Sequence, residues 1–228
     1  GTPSYYVQKM FSENVGNRIL PATLTDNTNP EILSISGAVG LGSWETQVEY
    51  DDFKVTSSTG EVLFEDDFSS STGKWNVFKG SWRVQNGVYQ QTSTSTDCRS
   101  TTGNADWSNY TLTLKAKKNS GNEGFLIMFG VKDSNNFYWW NLGGWGNTRH
   151  AIEKAVGGSK SIVAETYSNS IETNRWYDIK IEVSGRRIRC YLDGELVHDV
   201  EDLSGIGGPL YYVASKEEST GDIILKVV

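Results

Sequence analysis

The chain has 228 residues, of which 37% are hydrophobic and 12% aromatic, with 24 glycines, 4 prolines and 8 tryptophans. This composition excludes a disordered chain and favours many short strands joined by glycine turns. The formal net charge of −7 argues against a nucleic-acid partner, because a phosphate backbone requires clustered Lys and Arg. No apolar run reaches the roughly 20 residues that span a bilayer, so no membrane partner is expected and a neutral ligand suits the charge best.

The N-terminal segment, residues 1–30, predicts a helix, a strand and a linker. Apolar residues recur at helical spacing over Ser4–Asn14, and Gly16 provides a stop signal. Ile19–Leu24 has the composition of a short strand. Residues 25–30 are polar and rich in turn formers, so we place the first domain boundary at residue 30.

Residues 31–208 predict a second domain in which strands alternate with turns. The spacing of the turns is typical of an all-β sandwich, and the dipeptide Asp193-Gly194 marks a hairpin. The predicted strands cover residues 32–36, 38–41, 47–55, 61–68, 75–78, 82–85, 87–92, 110–116, 125–131, 137–142, 162–167, 176–183, 187–192 and 195–200. Val48, Tyr50, Phe53 and Val55 are predicted to face inward. On the two longest alternations, one strand face is predicted to carry Tyr110, Leu112, Leu114 and Ala116, and another to carry Phe125, Ile127, Phe129 and Val131.

Residues 209–228 form a third segment, in which strands over residues 210–215 and 222–228 predict a hairpin. The sequence ends at Val228 within a predicted strand. We therefore expect the chain to be a piece of a longer protein.

The two cysteines, Cys98 and Cys190, cannot form a metal site by themselves. Cys190 lies in a predicted strand, where a buried free thiol is the commoner outcome. A Cys98–Cys190 disulfide stays open as an alternative.

The most unusual stretch runs from Asn136 to His150, where rings, planar amides and glycines are concentrated. A sugar offers a C–H face that packs on an aromatic ring and hydroxyls that amide and imidazole groups can hydrogen-bond. The stretch therefore predicts a carbohydrate-binding site, with core packing of the rings as the alternative. The candidate binding residues are Trp139, Asn141, Trp145, Asn147 and His150, with Trp44 or Trp107 as further contributors.

A period of two residues divides this stretch between two faces of a strand. Phe137, Trp139 and Asn141 share one face, whereas the other carries Tyr138, Trp140 and Leu142. At least one of the two sets is therefore expected to be structural.

The two ends of the chain resemble an α-L-arabinofuranosidase of glycoside hydrolase family 51. The stretches that carry the resemblance are Pro3–Asn14, Ile19–Leu24, Tyr211–Lys216 and Thr220–Val228. In that family the first is similar to the last helix of the catalytic (β/α)8 barrel, and the others belong to the β-sandwich that follows. The catalytic glutamates of the family lie upstream of these stretches, so the resemblance implies no catalytic residue here.

Residues 31–208 resemble an inserted concanavalin-like, laminin-G-like jelly roll. The stretch Gly37–Trp44 with Glu49–Val55 looks like the strand pair that normally closes such domains, yet it comes first here, which implies a circular permutation. The other matching pieces are Asp67-Phe68, Trp75–Val77, Gly80–Trp82, Gly87–Gln90, Asn141–Trp145, Trp176-Tyr177 and Tyr191–Gly194.

Two acidic runs, Asp51-Asp52 and Glu65–Asp67, are candidates for a carboxylate pair or for calcium ligands, although such runs are more often solvated charge. Their spacing does not reproduce the Glu-x-Asp-x-x-Glu motif of concanavalin-like glucanases. We predict no catalytic residue and no cofactor, and leave a calcium ion open.

Three classes of function follow. The first is a non-catalytic carbohydrate-binding accessory part of a secreted arabinofuranosidase that acts on arabinose-containing plant cell-wall polysaccharide. The second is a purely structural module that covers or extends the active-site rim of the parent catalytic chain without binding sugar itself. The third, an independent concanavalin-fold glycosidase, is disfavoured by the missing motif.

Overall fold

The structure is a computed structural model that describes residues 17–20, 34–70, 73–167, 170–204 and 212–227. Backbone contacts divide the chain into one unit of residues 1–29 and 207–228 and a second unit of residues 30–206. The sequence places the divisions after residues 30 and 208. That these segments are parts of a host enzyme and an insertion stays a prediction.

The first unit contains a three-stranded antiparallel sheet. Its strands are β1 (Arg18–Leu20), β17 (Tyr212–Lys216) and β18 (Ile223–Val227), in the order β1-β17-β18. Backbone pairs such as Ile19 with Ser215 fix the register. The predicted helix over Ser4–Asn14 lies outside the described residues.

The second unit is a sandwich of two antiparallel sheets. The seven-stranded sheet has the order β13-β12-β11-β10-β2-β8-β5, and the eight-stranded sheet has the order β16-β15-β14-β9-β3-β7-β6, with β4 paired to β3. The strands are β2 (Ala38–Ser43), β3 (Thr46–Ser57), β4 (Val62–Asp66), β5 (Asn76–Lys79), β6 (Trp82–Gln85), β7 (Val88–Gln91), β8 (Cys98–Thr102), β9 (Tyr110–Gly121), β10 (Phe125–Val131), β11 (Phe137–Gly143), β12 (Arg149–Val156), β13 (Ser159–Tyr167), β14 (Trp176–Ser184), β15 (Arg187–Leu192) and β16 (Glu195–Glu201).

The predicted all-β sandwich is confirmed. Alternation along each strand sends large apolar side chains into the space between the sheets, where their removal from water stabilises the fold. This inner cluster includes Leu41, Tyr50, Leu112, Ile127, Tyr138, Trp140 and Ile181. The circular permutation stays a prediction, since the strand order alone does not test it.

The seven-stranded sheet also carries an apolar layer on its other face. This outer cluster consists of Leu126, Met128, Val131, Phe137, Trp139 and Ala155, with Ala38 and Trp44 packed against it. The prediction that Val131 shares a face with Phe125, Ile127 and Phe129 is wrong. The register of β10 shifts between Met128 and Val131, where Gly130 has a φ of 55°, and the shift reverses the side on which Val131 lies.

Both cysteines are buried and free, so the alternative of a Cys98–Cys190 disulfide is wrong. Burial raises the pKa of both thiols. Among the described residues, no helix is long and apolar enough to cross a bilayer.

Candidate functional site

Strand β11 presents aromatic rings to both sides of the seven-stranded sheet, and both sets are buried. Tyr138, Trp140 and Leu142 lie in the inner cluster. Phe137 and Trp139 lie in the outer cluster, and alternation places Asn141 on the same outer face. The outer face therefore carries two of the five predicted binding residues on one strand.

Glu153 joins Trp139 and Asn141. It lies on β12 directly opposite Trp139, and its Oε2 accepts a hydrogen bond from Trp139 Nε1 at 2.7 Å and another from Asn141 Nδ2 at 3.1 Å. Hydrogen bonds to a carboxylate are stronger than those between neutral groups, so Glu153 fixes both side chains. Glu153 is not among the binding residues predicted from the sequence.

The side-chain carbonyl of Asn141 takes no part in these hydrogen bonds. The residue is 7% exposed, and Oδ1 is buried without a hydrogen-bond partner in the described part of the chain. A buried polar atom without a partner costs stability, so its retention requires an explanation. No side chain covers it from Gly144, where a Cβ would lie 2.7 Å from Oδ1 and 2.5 Å from Nδ2.

The glycine-rich segment after β11 forms a single turn, α1 (Gly144–Asn147), with left-handed backbone at Trp145 and Gly146. The Gly146 N–H donates to Glu123 Oε1 at 3.3 Å. Burial raises the pKa of the Glu123 carboxyl, and hydrogen bonds from the Gly146 and Trp145 backbone oppose that increase. The turn is thereby held beside Asn141.

Trp145 lies at the edge of the outer face and is 37% exposed. The Arg149 guanidinium packs between two rings, 4.3 Å from the centroid of Trp145 and 5.1 Å from that of Tyr167. Arg149 also pairs with Glu165 at 2.7 Å, and this hydrogen bond raises the pKa of the guanidinium. Because Tyr167 is 71% exposed, two accessible rings flank one fixed cation.

The ring of Trp139 is not accessible, since the residue is 2% exposed. Lys160 Nζ lies 4.0 Å from its centroid and 4.7 Å from that of Trp44, and Asp97 is 3.9 Å from the same ammonium. Burial lowers the pKa of Lys160. The ring of Trp139 is therefore covered by Lys160 and is not free to stack on a sugar.

The remaining two predicted binding residues hold the turn. Asn147 donates from Nδ2 to the Ile171 carbonyl at 3.0 Å and accepts from the Ile171 N–H at 2.8 Å. His150 pairs with Leu142 across the strands and thus faces inward, where Nδ1 accepts from the Gly143 N–H at 2.9 Å. Burial lowers the pKa of His150. The structure does not bring either side chain to the outer face.

We define the outer-face patch as Asn141, Trp145, Arg149, Glu153, Glu165 and Tyr167. It combines two exposed rings, an unpartnered carbonyl and charged groups that are already paired. Such a set suits a neutral ligand with an apolar face and several hydroxyls. The patch residues on β12 and β13, namely Arg149, Glu153, Glu165 and Tyr167, are not among the binding residues predicted from the sequence. The available signal was the alternation Arg149, Ala151, Glu153 directly after the turn.

The acidic runs are occupied by protein partners. Asp66 accepts from Trp75 Nε1 at 3.0 Å and from the Phe68 N–H at 3.1 Å, and Asp52 pairs with Lys115 at 2.8 Å. The described residues contain no group of three His, Cys, Asp or Glu side chains placed to hold a metal ion.

The sequence is similar to parts of two known glycan-degrading enzymes. An extracellular exo-alpha-L-arabinofuranosidase from Streptomyces chartreusis is 46% identical over 228 residues, which are 99% of this chain and 27% of that protein. A levanase from Bacillus subtilis (strain 168) is 28% identical over 140 residues, which are 59% of this chain and 20% of that protein. The predicted resemblance to an arabinofuranosidase is confirmed, and the chain spans about a quarter or less of either relative's length.

One solved structure, the carbohydrate binding module CBM66 from Bacillus subtilis, aligns with a TM-score of 0.42 and 22% identity, covering 57% of this chain and 80% of that one. The model of one sequence family, described as the 3-keto-alpha-glucoside-1,2-lyase-like domain, matches residues 60–227. Because that match covers most of the sequence, the chain belongs to the 3-keto-alpha-glucoside-1,2-lyase-like domain family.

Proposed function

We propose that the second unit binds neutral carbohydrate at the outer-face patch and acts as a non-catalytic accessory part of an arabinofuranosidase. The observation that carries the proposal is the buried, unpartnered carbonyl of Asn141 beside the accessible ring of Trp145. When the glycine turn at Gly144 shifts to admit it, a sugar hydroxyl donates to Asn141 Oδ1 and removes the cost of the unsatisfied acceptor, while the ring packs on the C–H face of the sugar.

The other residues have distinct parts in this proposal. Tyr167 offers a second ring, and the Arg149–Glu165 pair supplies donors and acceptors between the rings. Glu153 acts as a positioning residue, since it holds the Asn141 amide so that Nδ2 is used and Oδ1 is left for the ligand. Trp139, Asn147 and His150 support the patch from below and from the turn.

The parent protein belongs to the proposal as well. The Streptomyces relative is named an extracellular exo-alpha-L-arabinofuranosidase, and this chain covers 27% of it. We infer that this chain is part of a secreted enzyme that removes arabinofuranosyl groups from plant cell-wall polysaccharide or oligosaccharide. The rest of the parent catalytic chain is then its second partner.

A purely structural module is the alternative, and the burial of Trp139 together with the satisfied amide of Asn147 favours it. On that account the rings and carboxylates of the patch only complete the packing of the sheet. An independent glycosidase ranks third, because Glu153 accepts two hydrogen bonds and Glu165 is paired with Arg149.

The test is a calorimetric titration of the 228-residue chain with arabinan, arabinoxylan and their oligosaccharides. Trp145→Ala is compared with Trp176→Ala, which is a matched control on the eight-stranded sheet. Trp176 is 38% exposed, and Lys117 Nζ lies 4.8 Å from its ring centroid. It therefore has nearly the exposure and the cation contact of Trp145 without the neighbouring Asn141.

We expect saturable binding that Trp145→Ala weakens about tenfold and Trp176→Ala leaves unchanged, since stacking on one ring contributes up to about 1.4 kcal/mol. Equal loss in both variants would contradict the assigned site. No binding by the wild-type chain would favour the structural alternative.

A further inference from the structure

A second cavity of about 280 Å³ lies on the same outer face, at the opposite end of the seven-stranded sheet from the patch. Its lining comes from β5, β8, β10 and Ala38 of β2, together with the segments that follow β8 and β10. The lining residues that matter here are Asn76, Phe78, Arg99, Thr101, Met128 and Lys132. Ligand pockets for drug-sized molecules begin near about 300 Å³, so this cavity is of a size for one sugar ring.

Two unpartnered polar side chains lie next to each other in this cavity. Asn76 on β5 is directly opposite Thr101 on β8. Within the described part of the chain, neither the Asn76 amide nor the Thr101 hydroxyl has a hydrogen-bond partner. Together they offer donors and acceptors at adjacent positions, which is what two neighbouring sugar hydroxyls require.

Phe78 supplies an aromatic wall. The residue is 56% exposed, which is unusual for so large an apolar side chain on a sheet. The register of β5 shifts between Val77 and Lys79, which leaves Phe78 as the extra residue, and such irregularities re-aim side chains next to binding sites.

The ring of Phe78 packs against the buried guanidinium of Arg99. The Arg99 guanidinium lies 4.1 Å from its centroid and 4.8 Å from that of Phe137. Arg99 is 5% exposed and donates to the Ser134 carbonyl at 2.8 Å and to Asp97 Oδ2 at 3.0 Å. Because the Arg99 guanidinium is fixed, the Phe78 ring packed on it is already ordered and loses little conformational entropy when a ligand binds.

The charges of the cavity select against an acidic ligand. Arg99 is neutralised by Asp97, and the lining contains both Lys132 and Asp133. Lys132 Nζ is already used by Ser36 Oγ at 2.8 Å and the Ala105 carbonyl at 2.9 Å. No excess positive charge therefore faces the cavity from the residues described.

We propose that Asn76, Phe78 and Thr101 form a second subsite that takes one neutral sugar ring of the same glycan. The proposal rests on the proposed function, since it takes its ligand class from the outer-face patch. Four strand spacings separate β12 from β8, a distance of about 19 Å. Between them, Asp97 lies close to both Arg99 and Lys160, which cover the aromatic floor. One oligosaccharide chain that passes over Arg99 and Lys160 can contact both the outer-face patch and the second cavity.

The experiment is a calorimetric titration with arabinose and with linear arabino-oligosaccharides of increasing length. Phe78→Ala and Asn76→Ala are compared with Val77→Ala, a matched control on the same strand. Val77 is 52% exposed and lies between the two test residues, but it does not line the cavity. All three side chains are exposed, so the variants are expected to fold.

For the wild-type chain we expect affinity to rise with oligosaccharide length until both subsites are filled. Phe78→Ala should lose five- to tenfold of the affinity for the longest member, the fold-change of one aromatic stacking contact, and Val77→Ala should lose none. In parallel, the Asn76 side-chain amide signal in ¹H–¹⁵N NMR spectra should shift as the long oligosaccharide is added.

Two results separate this proposal from the proposed function. If Trp145→Ala weakens binding while Phe78→Ala and Asn76→Ala bind the longest oligosaccharide like the wild type, the second subsite is overturned and the patch stands. If the wild-type chain binds no member of the series, both are contradicted.

Discussion

The outer faces of the two sheets differ in what they bury. On the seven-stranded sheet the outer face carries an apolar layer under charged side chains, with Trp139 and Asn141 both more than nine-tenths buried. On the eight-stranded sheet the same alternation presents exposed ion pairs to solvent, such as Lys180 with Glu182 at 2.9 Å and Arg187 with Asp199 at 2.6 Å.

The difference shows where the protein retains costly groups. Solvated ion pairs contribute little to stability and need no special explanation. A second apolar layer and a buried carbonyl without a partner are not required to build a sandwich, because the inner cluster already supplies the core. The seven-stranded sheet is therefore the face on which a ligand site is proposed.

Removal of one tryptophan from each face gives the largest expected contrast. Trp139→Ala should lower the free energy of unfolding by about 3–5 kcal/mol, because it removes a buried ring and leaves Glu153 without one donor. Trp176→Ala should cost less than about 1 kcal/mol. Urea denaturation followed by circular dichroism measures both. Similar losses in the two variants would mean that the outer faces are not different.

The free energy of unfolding should depend on pH through groups in the interior, not on the outer faces. The chain has only two histidines, and both face inward. Burial, reinforced by the neighbouring His150, lowers the pKa of His198 to about 4, and His198 Nδ1 accepts from Trp140 Nε1 at 3.1 Å. The unfolded chain binds the proton more readily between pH 6.5 and 4, so stability falls as the pH falls through this window, by about 3 kcal/mol.

The measurement is the free energy of unfolding at a series of pH values. His198→Gln retains an acceptor for Trp140 without titrating and should flatten the dependence. A pH profile that is unchanged in His198→Gln would show that other groups cause the acid sensitivity.

Replacing one glutamate by glutamine on each outer face compares the two faces by their effect on oligosaccharide affinity. Glu153→Gln should weaken binding of arabino-oligosaccharides about tenfold, because the charge that fixes the Asn141 amide is lost. Glu182→Gln, on the eight-stranded sheet, removes the negative charge to which Lys180 and Tyr191 donate and should leave binding unchanged. Titration calorimetry compares the two variants, and a loss confined to Glu182→Gln would reverse the assignment of the faces.

The smallest effect is expected at an exposed pair. Lys180→Gln breaks the ion pair with Glu182 on the eight-stranded sheet and should change the free energy of unfolding by less than about 0.5 kcal/mol. Denaturation curves in low and high salt provide the check. A cost of several kcal/mol would show that this face also carries stabilising charge.

The sequence predicts strands best where alternation and turn signals coincide. β15 matches its predicted range Arg187–Leu192, because Asp193-Gly194 fixes its end. Strands β8 and β12 were not predicted. β8 is the polar run Cys98–Thr102 without alternation, and β12 follows an irregular left-handed turn that gives no start signal.

The candidate site was predictable only within one strand. Trp139 and Asn141 share a face because they are two residues apart, which the sequence states directly. Glu153 joins them through the pairing of β11 with β12, and the sequence alone does not reveal that register. His150 is near in sequence, yet its pairing with Leu142 turns it to the inner face.

The most direct test of carbohydrate binding on the seven-stranded sheet is an NMR titration that follows the eight tryptophan indole N–H signals as arabino-oligosaccharide is added. Our account predicts saturable shifts of the Trp145 and Trp139 signals, while those of Trp140 in the interior and Trp176 on the other sheet stay in place. Shifts confined to Trp176, or no shift in any indole at saturating ligand, would contradict it.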